Sequence, residues 1–117
     1  MVKHMLTPLL ILASYLPAND SRGSALYGNC KASIRSSETS IPNRDDDING
    51  MNCLEYITGF TDAFTISHQI CPSENTSRGT LVRIYVAYMD KYPKLLDEDR
   101  GIGVWGALAS AYPCSTH

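Results

Sequence analysis

Four cysteines, Cys30, Cys53, Cys71 and Cys114, stand in a chain of 117 residues, and no other feature narrows the possible folds as much. An even number of cysteines in so short a chain fits two disulfides formed in an oxidising compartment. Four thiols allow three pairings, and spacing alone leaves all of them open. The favoured pairing is Cys30 with Cys53, tying a first helix to a second, and Cys71 with Cys114, tying the turn after the second helix to the end of the last. On the loop-entropy model each bridge contributes roughly 3–4 kcal/mol, comparable to much of the net stability of a small domain.

Oxidation requires export, and the N-terminus carries the layout of an export signal. In MVKHMLTPLLILASYLPAND, Lys3 and His4 precede an apolar run from Leu6 to Leu16, and the small residue Ala18 follows. The run is too short to span a bilayer, and Pro8 and Pro17 interrupt it, so the sequence predicts a signal peptide over 1–18 and a single domain over 19–117. The mature form is expected in an oxidising compartment with no membrane segment. Hydrophobic residues make up 44% and charged residues 19%, which fits a globular core and excludes a disordered tail. A formal charge of -2 lacks the basic surplus that a phosphate backbone demands, so nucleic acid is not an expected partner.

The apolar spacing predicts about four helices and no strand pair, an all-α bundle stapled by its disulfides. Leu26, Tyr27 and Cys30 mark a short first helix within residues 24–33. Residues 35–50, rich in Ser, Asp and Asn, read as a long polar connection and the most mobile part. From Asn52 to His68 the residues Cys53, Tyr56, Ile57, Phe60, Ala63, Phe64 and Ser67 form one stripe, capped by Asn52 or Asn49. Gly59 inside it is expected where another helix crosses closely. A third helix starts at Thr76 or Ser77, faces inward with Leu81, Val82, Tyr85, Tyr88, Met89 and Tyr92, and stops at Pro93. After the charged segment KLLDEDRG, a last helix turns Val104, Trp105, Leu108 and Ala111 inward before Pro113.

Three patterns invite a chemical reading, and each has a plainer one. DDDING, Asp45 to Gly50, opens like a calcium loop with Asp45, Asp47 and Asn49 as oxygen ligands, but the twelfth position is Tyr56 rather than a bidentate carboxylate. A solvated acidic segment leading into a helix is favoured. His68, Cys71, Cys114 and His117 have zinc-ligand chemistry, yet that set strands Cys30 and Cys53 and needs thiols that an exported chain oxidises. Nucleophilic catalysis needs a histidine base, and His68 at a helix end is better placed to offset the helix dipole. No catalytic residue and no cofactor is assigned, and a binding protein is favoured over an enzyme.

The segments ALYGNC, CLEYITGFTDAF, ICP, LVRIYVAYMDKYP and WGALASAYPC, in that order, resemble the Tai or Rap family of type VI secretion immunity proteins across residues 24–114. Cys53 to Phe60 and Ala107 to Cys114 carry the most specific parts of the likeness. The resemblance implies a periplasmic, all-helical, usually dimeric protein that inactivates a peptidoglycan amidase effector delivered by neighbouring cells. Its target would be a papain-like cysteine amidase, which an inhibitor silences by filling the active-site groove without chemistry of its own. Exposed loop tips suit that role better than the aromatic stripes, which are core by spacing. The favoured plug is Lys94 to Arg100, with Asp97, Glu98 and Asp99 reaching into the groove, and Glu98→Lys or Asp99→Lys is expected to weaken inhibition at nearly unchanged melting temperature. The other candidate runs from Ser73 to Arg78, including Glu74 and Arg78, with Arg83 and Asp90 as flanking contacts. Tyr85, Tyr88 and Tyr92 are core candidates that would otherwise serve a homodimer interface. Rival readings are a periplasmic helical chaperone responding to acid, and a Cys/His metal-binding protein.

Overall fold

The computed structural model describes residues 20–115, so the expected signal peptide over 1–18 and the zinc candidate His117 lie outside the described residues. Four α-helices follow one another: α1 (Gly23–Glu38), α2 (Arg44–Ile66), α3 (Arg78–Lys91) and α4 (Arg100–Ala111), with a 3-10 turn at Pro93–Asp97 between the last two. Cys30 is joined to Cys53 and Cys71 to Cys114, the favoured pairing. The all-helical, disulfide-stapled expectation holds.

The long polar connection over 35–50 does not exist. α1 continues to Glu38 and α2 already begins at Arg44, leaving a five-residue link. The cap is Asn43, whose side chain accepts from the Asp46 backbone N–H at 3.0 Å, rather than Asn49 or Asn52. Asp45, Asp46 and Asp47 fill the first turn of α2, where carboxylates offset the positive end of the helix dipole. Arg35 on α1 then grips Asp46 with two hydrogen bonds of 3.0 and 3.1 Å, and Ser36 donates to Asp47. The acidic run is thus the start of a helix bonded to its neighbour.

α1 and α2 form an antiparallel hairpin clamped by the Cys30–Cys53 bridge, both cysteines being fully buried. One turn before Cys53, Gly50 sits so close to α1 that a Cβ there would come within 2.8 Å of the Ser33 Cα. Gly59, the expected crossing point, has nothing within 4 Å of a built Cβ, so the close approach occurs nine residues earlier in the chain, at Gly50. α3 lies antiparallel to α1, shown by the Arg83–Glu38 ion pair at one end and the Tyr27–Asp90 hydrogen bond at the other.

Leu26, Ile57, Ile70, Leu81, Val82, Tyr85, Met89, Val104, Ala107 and Leu108 join the first disulfide in the core. The expected inner face of α4 is therefore rotated: Ala107 is buried, whereas Trp105 is 37% exposed and Ala111 is at the surface. Small residues explain the rotation, because Gly103 and Gly106 admit Met89 and Tyr88, to which a Cβ would stand within 2.6 Å. No helix among the described residues is long and apolar enough to cross a membrane.

Candidate functional site

The segment Lys94 to Arg100 is built into the fold rather than draped over it. Pro93 opens the 3-10 turn with its preset φ, and Asp99 caps α4 by accepting from the Gly101 backbone N–H at 2.9 Å. The residues just before α1 hold the segment from the other side. Gly23 N–H donates to the Glu98 carbonyl at 2.8 Å and Arg100 N–H donates to the Ser21 carbonyl at 2.7 Å, with Arg22 bridged to Asp99. Lys94, Asp97 and Glu98 keep their side chains in solvent. A short charged tip on a fixed backbone results.

Beside this tip runs a row of half-buried rings that closes the space between α2 and α4. The Arg100 guanidinium lies 4.3 Å from the centroid of the Tyr56 ring. Tyr56, Phe60 and Phe64 stand on one stripe of α2 with centroid spacings of 6.0 and 4.4 Å, and Phe64 meets Trp105 of α4 at 5.0 Å. Burial pushes the Tyr56 hydroxyl above its ordinary range; Arg100 opposes the shift and the Asp99 carboxylate adds to it. Ile102, one turn before Trp105 on α4, is 49% exposed. Apolar rings at the centre with separate charges at the edge is the anatomy of a protein-docking surface, where tryptophan, tyrosine and arginine are enriched.

The nine residues expected to contact a partner fall into two groups. Lys94, Asp97, Glu98, Asp99 and Arg100 gather at one end of α3, together with Asp90, which accepts a hydrogen bond from the Tyr27 hydroxyl and raises that hydroxyl's pKa. Glu74 precedes this helix and Arg78 opens it, about 18 Å from Asp90 at ~1.5 Å rise per residue, while Arg83 stands between them, about 10 Å from Asp90. Arg83 is paired with Glu38 at 3.2 Å. Two of the five loop residues, Asp99 and Arg100, are already engaged inside the chain, so Lys94, Asp97 and Glu98 are the ones left free to reach outward.

By period Tyr56, Phe60 and Phe64 belong to a core stripe, and the surface they form with Trp105 is not visible in that pattern. The signal available was a stripe wider than one neighbouring helix can cover, since Cys53 and Ile57 already fill the buried side. Tyr85 is fully buried and is unavailable to a second copy, whereas Tyr92 is 43% exposed and packs tilted against Tyr88, with ring centroids 4.7 Å apart.

The metal readings meet a different chemistry. Asp45, Asp47 and Asn49 are helical, and a calcium loop needs its ligands on a turning backbone. Cys71 and Cys114 are joined to each other, which removes the two thiolates a zinc site required. His68 is exposed just beyond α2, with a left-handed backbone at φ 59°, the conformation that commonly ends a helix.

The model of a protein family described as Rap1a immunity proteins matches residues 22–114, which includes both disulfides, the anchored charged tip and the aromatic row. Searches of curated proteins and of solved structures give no match.

Proposed function

Because this chain belongs to the Rap1a immunity protein family, we propose that it protects its producer by binding and inhibiting a peptidoglycan amidase effector of a type VI secretion system. Family membership carries the immunity function against a secreted effector. The target class and the docking surface are the added steps. The reading rests on one observation, the aromatic row Phe60, Phe64 and Trp105 continuous with a charged tip on an anchored backbone.

An inhibitor of this kind has to occupy a groove, and it needs no reaction of its own. Lys94, Asp97 and Glu98 project from a backbone tied down at Ser21 and Gly23, so little order is lost when they enter a cleft. A carboxylate placed there faces the imidazolium of a Cys–His pair, or backbone N–H groups lining the groove. Trp105, Phe64 and Ile102 then supply the apolar area that holds the tip in register. The active species is proposed to be a periplasmic homodimer freed of its signal peptide, and the disulfides fit such an oxidising compartment.

The test is hydrolysis of a peptidoglycan stem peptide by the purified cysteine amidase of the same genetic neighbourhood, titrated with the mature protein. Stoichiometric loss of activity is expected, and Glu98→Lys and Trp105→Ala are expected to weaken it more than Arg83→Ala does. Full amidase activity together with separate elution of the two proteins on a sizing column refutes the target. Full inhibition by both tip and row variants refutes the surface.

A further inference from the structure

The two disulfides occupy opposite surroundings. Cys30 and Cys53 have no exposed surface, lie inside helices and are packed among the core side chains. Cys71 is exposed and Cys114 is partly exposed, and both stand in irregular backbone outside every helix. Around the outer bridge the polar contacts are few: the Cys71 N–H donates to the Tyr112 carbonyl at 2.9 Å, and the Cys114 Sγ is 3.5 Å from the His68 carbonyl. The next residue inward, Ile70, is fully buried and is also held through its N–H to the Phe64 carbonyl. The chain is thus anchored upstream of Cys71 without help from the sulfur bond.

We infer that the Cys71–Cys114 bridge is a thiol-exchange site, opened by a dithiol of the Cys-x-x-Cys kind while the helical fold stays intact. The thiolate of the dithiol attacks the Sγ of Cys71, the more exposed residue of the pair; the Cys71–Cys114 bond breaks, a mixed disulfide forms, and Cys114 leaves as a thiolate that takes up a proton. The second thiol of the pair then attacks the mixed disulfide, releasing Cys71 as a thiol and carrying away an oxidised dithiol. Two electrons pass to the bridge and none remain unassigned. The Cys30–Cys53 bridge meets a reductant only when α1 and α2 part, which is an opening of the core itself.

Opening the outer bridge removes the covalent tie between the segment after α2 and the end of α4, leaving the Cys71 N–H to Tyr112 carbonyl bond and the Cys30–Cys53 clamp in place. The site is independent of the partner proposed above, since it depends only on exposure and on where the chain is anchored.

Native protein incubated with dithiothreitol, quenched at intervals with iodoacetamide and peptide-mapped by mass, tests this directly, with far-UV circular dichroism recorded on the same samples. Label is expected on Cys71 and Cys114 more than about tenfold faster than on Cys30 and Cys53, at unchanged helical signal. Equal labelling of all four, earlier labelling of Cys30 and Cys53, labelling only as the helical signal disappears, or no labelling at a reductant concentration that opens the denatured protein overturns it. The variant Cys71→Ser/Cys114→Ser is expected to fold with native helicity, and its failure to fold overturns the claim equally.

Discussion

Gly50 and Gly59 stand on the same helix, and changing each to alanine is expected to give different stabilities although helix propensity alone dictates the same gain at both. In both cases alanine narrows the freedom of the unfolded chain and improves the helix by about 0.4–1 kcal/mol. At Gly59 the new methyl group meets nothing within 4 Å, so that gain is retained. At Gly50 it would stand 2.8 Å from the Ser33 Cα and 3.1 Å from the Ser33 N. Both are backbone atoms, and no rotamer change relieves the contact. The helices cannot part either, because the Cys30–Cys53 bridge clamps them within a turn of the crossing. Overpacking of this kind costs about 1–3 kcal/mol. Propensity is common to the two variants and cancels, which leaves Gly50→Ala about 1–3 kcal/mol less stable than Gly59→Ala. Urea unfolding of the oxidised proteins, followed by circular dichroism, measures the difference if the slope with denaturant is unchanged. Equal stabilities, or a more stable Gly50→Ala, would refute the account of how α1 and α2 cross.

Further expectations follow from the tip and from the helix hairpin. Asp99→Lys removes the cap of α4 and places a cation at its positive end, so it is expected to lose about 1–2 kcal/mol, whereas Glu98→Lys stays within about 0.5 kcal/mol of the parent in the same thermal melts. A nearly unchanged melting temperature is thus expected of Glu98→Lys alone, because the Asp99 carboxylate is bonded to Gly101 N–H. Hydrogen bonds from Arg35 hold the Asp46 carboxyl below its ordinary range, so its contribution is present above the unfolded pKa and lost as pH falls through the folded one. The melting-temperature gap between the parent and Asp46→Asn is therefore expected to be widest near neutral pH and to close on acidification; a gap that does not change with pH contradicts this. Trp105 is the single tryptophan, and its emission is expected to shift to shorter wavelength when the effector covers the row, while an unchanged spectrum on complex formation places it outside the interface.

Much of this fold is legible in the residues, and the misread parts share one cause. The stripe from Cys53 to Phe64 announces α2 by its period alone, and Ser77 and Pro93 bracket α3 at its true ends. Residues 35–50 differ from the expectation because Ser, Asp and Asn suit loops and helix starts alike. Asn43 followed by three aspartates is equally the start of a helix, and only the bonds to Arg35 and Ser36 on α1 show which applies. At Trp105 size suggested burial, yet Gly103, Gly106 and Ala107 make the inner face because Met89 and Tyr88 need the space. The candidate surface was half legible. Lys94, Asp97 and Glu98 read correctly as an exposed tip, but its anchors at Ser21 and Gly23 are some 75 residues away in sequence, a separation that no local pattern records.

The order of the cysteines along the chain has a bearing on how the molecule is made. The bridges are consecutive: the first pair closes within residues 30–53 before the second pair, 71 and 114, begins. A polypeptide emerging N-terminus first into an oxidising space therefore presents Cys30 and Cys53 to each other while the later two are still in transit. Joining each thiol to the next one that arrives yields the native pattern, so simple oxidation in order of appearance suffices, and a mispaired state arises only if the first closure is delayed past the arrival of Cys71.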